Sequence, residues 1–310
     1  MEIPQGKGGL TTIDAHVHFF SYRFFEDYAR RRGQDLPSHN PDALLRQLGW
    51  EAPPRDPRLL AKRWVEQLDQ HGVARAVLLT SIVGDEESVA LAVQEFPDRL
   101  VGYVRVDPTK QGAEACVRAA VRELGLRGVK LFPSMERFHA SEPRVYPLYD
   151  EAQALGVPVL LHFGILQSAV RSALGLPSNA DMRFANPADL QPAARDFPRL
   201  RFIIPHFGAG YFREALMVCY HCPNVSLDTS GSNAWIRYAG QPLDLHTVFR
   251  LALDAVGSGR IIFGTDSTHF PRGLRTDVLS TQLGILRDLE LPLPDVQRIM
   301  AGNIAEILNL

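Results

Sequence analysis

Eight short apolar segments, each separated from the next by a stretch of helical pattern, constrain this chain more than any other feature. The segments read as strands over 12–18, 74–80, 100–106, 126–132, 157–162, 200–206, 224–228 and 260–266. Between them lie stretches such as RLLAKRWVEQLDQHG, EESVALAVQEFPDR and LHTVFRLALDAVGSG, whose apolar residues recur at helical spacing. Strands with near-continuous apolar runs are buried on both faces, which a parallel sheet covered by helices requires. Eight such units predict an α/β protein with a closed (β/α)8 barrel, for which ~250 residues is typical. An open doubly wound sheet is the alternative, and no GxGxxG follows the first strand to support it.

The surplus of the 310 residues sits mainly at 20–56, an aromatic, Arg-rich and Pro-rich stretch (YRFFEDYARRRGQDLPSHNPDALL). It leaves the first strand on the side where barrel loops build active sites, so it reads as a substrate lid or a packing arm. With no long linker or low-complexity tract, residues 1–310 read as one domain.

A formal net charge of −2 gives no electrostatic case for nucleic acid or an anionic membrane. No run approaches the ~18 apolar residues of a transmembrane helix. The opening MEIPQGKGG lacks the basic start and apolar stretch of a secretory signal, so a cytoplasmic location is expected. The three cysteines are too few for a disulfide framework. Cys219 and Cys222 continue the helical pattern FREALMVCYHC and read as small buried hydrophobes, since no second cysteine pair completes a zinc site.

Chemistry gathers at the strand ends. In IDAHVHFF, strand alternation puts Asp14, His16 and His18 on one face and Ile13, Ala15 and Val17 on the other. Two imidazoles on one face can reach a single ion. His162 lies near the end of the fifth strand, His206 near the end of the sixth, and Asp266 ends the eighth. In a barrel these ends converge on one rim. The set is therefore a plausible set of ligands for a divalent ion, with a further position left for water or substrate.

The segments IDAHVHFF, GVKLFPS, VLLHFG, IIPHFGAG, VSLDTSG, IIFGTDS and IMAGNIAEILNL, in that order, span essentially the whole chain. On them the sequence resembles the amidohydrolase superfamily, in the branch of aminocarboxymuconate-semialdehyde decarboxylase and related metal-dependent hydrolases. The resemblance implies that His16, His18, His162 and Asp266 bind metal. It implies that His206 is a catalytic base or carbonyl-polarising group in single-metal members and a ligand in two-metal ones. The ion expected is zinc, with manganese an alternative and a second ion left open. Metal-activated water would have Asp266 as its proton acceptor and His206 as a hydrogen-bond donor to the developing oxyanion.

Lys130, in GVKLFP on the fourth strand, is expected to face the barrel interior, because a charge directed at the helices would be buried at high cost. A substrate-carboxylate partner is the favoured role. A carboxylated bridge between two ions, as in two-metal relatives, or a pair with Asp228 are the alternatives. Asp228 and Ser230 end the seventh strand and are placed to line the pocket. Arg23, Arg171, Arg183 and Arg272 are rim candidates for clamping a carboxylate. His139 and His269 follow strands four and eight near the pocket, His71 caps a helix, and His39, His221 and His246 read as surface residues.

The leading expectation is a hydrolase acting on an ester, lactone or amide of a small carboxylated substrate. A non-oxidative decarboxylase of an aromatic or muconate-type acid is the second, and a catalytically silent binding barrel the third. The expected partner is a small molecule, and the chain leaves room for a homodimer.

Overall fold

A computed structural model describes residues 9–31, 40–165, 168–240 and 242–310; His39 lies outside them. All eight strands form: β1 Ile13–Phe19, β2 Arg75–Thr80, β3 Leu100–Arg105, β4 Gly128–Leu131, β5 Val159–Leu161, β6 Phe202–Ile204, β7 Val225–Asp228 and β8 Ile261–Ile262. They make one sheet in chain order, and every neighbouring pair is parallel. The residues after β8 return to β1 through Ala15 N–H to Phe263 O (3.0 Å), Asp266 N–H to His16 O (2.9 Å) and His18 N–H to Ser267 O (2.8 Å). The sheet thus closes as a (β/α)8 barrel. Among the described residues no helix is long and apolar enough to cross a membrane.

Two apolar layers explain the closure. One packs Val77, Leu79, Val101, Tyr103, Leu160, Ile203 and Ile262 with the terminal helix Asn303–Leu308, filling the interior. The other packs the alternate strand residues, among them Leu78, Val129, Leu131 and Leu161, under the surrounding helices. Those helices begin and end on local signals. In Pro57–His71, Asp56 caps Arg58 N–H, proline occupies the first turn, and Gly72 closes the end at φ 67°. His71 sits in its last turn, where it complements the helix dipole.

β1 departs from simple alternation. A register shift between Asp14 and Val17 places an extra residue in this strand relative to β2. Ile13 and Ala15 consequently join the interior layer, while Val17 joins the outer one with Phe19. Asp14 therefore does not share the histidine face. Its carboxylate accepts Thr265 N–H (2.9 Å) and His16 N–H (3.1 Å), and it also bonds the Thr265 hydroxyl, tying β1 to the chain after β8.

The 20–56 stretch folds in its described parts into helices Tyr22–Arg31 and Pro41–Leu48. Phe20, Phe24, Phe25 and Tyr28 pack with Leu44, Leu45 and Val170, so the stretch forms a wall beside the rim. Cys219 and Cys222 are buried and unpaired, with burial pushing the Cys219 thiol up to about 12. They are core residues.

Candidate metal centre

β1 carries His16 and His18 to the rim, and each is fixed through Nδ1. The Asp228 carboxylate can only accept, so the 2.6 Å contact from His16 Nδ1 places the proton on that nitrogen. Ser81 donates its hydroxyl to Leu79 O, leaving its oxygen to accept His18 Nδ1–H at 3.1 Å. Both Nε2 atoms then carry lone pairs directed at Asp266. The Asp266 Oδ1 lies 3.3 Å from His18 Nε2 and 3.8 Å from His16 Nε2.

The donor atoms of these three residues all lie within 4.8 Å of one another. His16 Nε2 is buried with no hydrogen-bond partner. A buried imidazole lone pair left unsatisfied beside a second imidazole and a carboxylate suits a divalent ion, whose binding needs deprotonated ligands. The residues fit a metal.

His162 and His206 stand beside this cluster as a pair. His206 Nδ1 is 2.9 Å from Ser230 O, which fixes its proton there and leaves Nε2 as the acceptor. That Nε2 meets His162 Nε2 at 2.9 Å, while His162 Nδ1 is buried without a partner. His162 stacks on Phe132 with centroids 4.6 Å apart. It reaches the His16–His18–Asp266 group through His206, and its Nε2 would have to leave His206 to become a fourth ligand.

Burial favours the neutral form of His18, His162 and His206. Burial, with Lys130 next, pushes His18 down to about 3. Burial and His206 hold His162 well below the usual range, and burial lowers His206. Burial raises Asp266, but its contact with His18 and the nearby His206 and His16 outweigh this and hold it below the usual carboxylate range. Asp228 is likewise held low, its burial offset by His16.

Backbone shape aims two of these side chains. His206 (φ 56°) and Asp266 (φ 59°) both occupy the left-handed region, which costs a non-glycine residue about 1–3 kcal/mol. Each follows its strand where the chain turns sharply. Gly264 allows this turn, because a Cβ there would stand 2.8 Å from His16 Cβ and 3.0 Å from Ser230 Cβ.

Lys130 is fully buried and faces inward from β4, as expected. Its Nζ lies 3.4 Å from His18 Nδ1 and 4.6 Å from the Phe132 ring centroid. Burial, with Arg105 nearby, pushes it well below the usual lysine range. Among the described residues it makes no ion pair, and Asp228 is committed to His16 instead.

A cavity of about 810 Å³ opens over the centre, lined by His18, His162, His206 and Asp266. Phe20, Phe24, Tyr28, Phe132 and Trp235 supply apolar wall. Of the rim arginines read from the sequence, none lines it. Arg23 pairs with Glu87, Arg183 with Asp181, Arg171 donates to Pro177 O and Arg272 to Thr268. The lining cations are Arg105, Lys110, Arg137 and Arg237. Arg105 was hidden inside the apolar run LVGYVRV, where its position ending β3 was the only signal. It donates to Ser81 O (2.7 Å) and Glu136 (2.5 Å) and lies over the Phe132 ring. His139 bonds Asp189 and His269 stacks on Trp50, and neither lines the cavity.

The chain matches the family model described as Amidohydrolase over residues 13–310. It belongs to the amidohydrolase family. A 2-keto-4-carboxy-3-hexenedioate hydratase from Sphingobium sp. (strain NBRC 103272 / SYK-6) is 27% identical over 219 residues, which span 60% of this chain and 58% of that one. Among solved structures, the 5-carboxyvanillate decarboxylase of Novosphingobium aromaticivorans DSM 12444, with bound manganese and 3-methoxy-4-hydroxy-5-nitrobenzoic acid, has a TM-score of 0.69 at 15% identity, with 100% of each chain covered. A probable 2-pyrone-4,6-dicarboxylic acid hydrolase from Acinetobacter baumannii, with citric acid bound, has a TM-score of 0.64 at 17% identity, covering 97% of this chain and 100% of that one. At these identities the structural likeness speaks for the fold.

Proposed function

We propose that this protein is a metal-dependent hydrolase of a small, flat carboxylated substrate, cleaving an ester, lactone or amide bond. The observation that carries the reading is the convergence of His16 Nε2, His18 Nε2 and the Asp266 carboxylate beside a cavity lined by His18, Asp266 and Arg105. His16, His18 and Asp266 would hold one divalent ion, with His162 as a further ligand after release from His206. Nitrogen and oxygen donors suit zinc or manganese. The ion supplies Lewis acidity, lowering the pKa of water toward ~7 and polarising a carbonyl.

This chain's residues do the rest. Asp266, ionised and partly open to the cavity, accepts the proton of the attacking water and returns it to the leaving group. His206, its Nδ1 proton fixed on Ser230 O, presents an Nε2 lone pair that, once released from His162, accepts a hydrogen bond from the attacking water. Arg105 on the cavity wall faces a substrate carboxylate, Lys130 stands behind His18 as a second basic group, and the Phe20, Phe24 and Phe132 rings pack a planar body.

The aromatic wall also supports a second reading, non-oxidative decarboxylation of an aromatic or muconate-type acid on the same groups. The test is a panel of carboxylated lactones and aromatic acids with the metal-loaded protein, scored for acid release and for CO2. Acid release abolished by Asp266→Asn is expected. CO2 release without acid release from any lactone or amide replaces hydrolysis with decarboxylation, and full activity in Asp266→Asn removes the proton-transfer role.

A further inference from the structure

The opposite end of the barrel holds a second cavity, of about 460 Å³. It lies where β2 and β3 begin and the chain approaches β4, away from the metal centre. Arg75, the first residue of β2, forms part of its wall and is only 1% exposed. Arg122 and Arg127 line the same space.

Arg75 is an unusual buried cation. Its Nε has no hydrogen-bond partner, and no carboxylate among the described residues forms an ion pair with it. The neighbouring arginines are differently placed. Arg99 is satisfied by Asp69 and two backbone carbonyls, whereas Arg127 makes one long contact, 3.4 Å to Leu308 O. Burial lowers the Arg75 pKa; Asp98 opposes this through space, while Arg127 and Arg99 add to the lowering. Guanidinium stays protonated in proteins, so Arg75 keeps its charge and an unpaired Nε–H, with Asp98 acting on it only through space and Glu123 the one acidic side chain among the described residues of the cavity wall. Burying a charge this way is costly unless a partner of opposite sign completes it.

We propose that this cavity is a binding site for a small oxyanion, a carboxylate or phosphate group held by Arg75 at the inner end and Arg127 and Arg122 at the mouth. Planar guanidinium forks match either group bidentately. Val93, Pro97 and Leu124 leave apolar room for a short organic body. The site is separate from the metal centre, and a ligand there acts on the fold by neutralising a buried charge between β2 and the terminal helix.

The test is calorimetric titration of inorganic phosphate, and of benzoate, into wild type, Arg75→Met, Arg127→Gln and Arg105→Gln, with melting curves in the same buffers. Wild type is expected to bind at least one of the two and to melt higher as its concentration rises. Binding is expected to weaken at least about tenfold in Arg75→Met and Arg127→Gln and to persist in Arg105→Gln, which alters only the other cavity. Tighter benzoate than phosphate assigns a carboxylate ligand, and the reverse a phosphate. Arg127 is exposed, so its variant keeps the test open if Arg75→Met does not fold. Binding left unchanged in both variants, or no wild-type response up to about 10 mM of either anion, overturns the proposal.

Discussion

Asp228 Oδ2 accepts the Nδ1 proton of His16 at 2.6 Å, with both residues buried, and this contact decides which nitrogen of His16 faces Asp266. The carboxylate is itself held by Ser230 N–H at 2.6 Å. Asp228 thus orients a metal-binding imidazole without touching the ion. Replacing it by alanine frees the ring and permits the wrong tautomer. Metal affinity is expected to fall about 10- to 100-fold, read by titrating zinc against a competing chelator. Unchanged affinity would remove the orienting role.

Lys130 is buried without an ion pair, so its removal relieves a desolvated amine. Lys130→Met is expected to melt at or above the wild-type temperature. On a carboxylated substrate its KM should rise about tenfold or more, corresponding to ~1.4 kcal/mol of lost binding. An unchanged KM would take Lys130 out of substrate recognition.

A Cβ on Gly264 would stand 2.8 Å from His16 Cβ, too close to keep without a shift, and 3.0 Å from Ser230 Cβ. Gly264→Ala is expected to cost about 1–3 kcal/mol in denaturant unfolding and to lower metal occupancy by displacing His16. Wild-type stability with full metal content would contradict the close packing.

Asp85 accepts the hydroxyls of Ser21 (2.6 Å) and Ser88 (2.5 Å) in a buried pocket, and burial raises its pKa from 3.8 to about 6. The folded state therefore binds more protons than the unfolded chain between these values. Stability from this group is full below pH 3.8 and falls as pH rises through about 6. Asp85→Asn should gain on the wild type as pH rises from 4 to 7, by up to roughly 3 kcal/mol, in urea unfolding at stepped pH. A difference that stays constant with pH would show that Asp85 does not titrate in this way.

The barrel was legible because each strand carries a continuous apolar run and each connection a helical period, and these local patterns agree with the parallel closed sheet. Seven of the eight strands are shorter than their apolar runs, by one residue at β2, β3 and β7 and by up to five at β8. The convergence of His16, His18 and Asp266 was legible from strand-end position alone. The bulge in β1 was not, and it turns Asp14 from the histidine face to Thr265. Nothing local to IDAHVHFF encodes that shift, because it is set by pairing with β2 and with the residues after β8. Which cations face the cavity was not legible, for a similar reason. Arg23 and Arg183 lie in rim segments and pair with carboxylates away from the cavity, while Arg105, itself paired with Glu136, reaches the cavity from inside a strand. Partner choice of this kind depends on packing between distant segments.

Metal content per chain, measured by mass spectrometry on gently purified protein beside the His16→Ala/His18→Ala variant, tests the central claim most directly. One site predicts about one equivalent of zinc or manganese in the wild type, lost in the variant. No metal in the wild type after both ions are supplied, or equal metal in the two proteins, would contradict it.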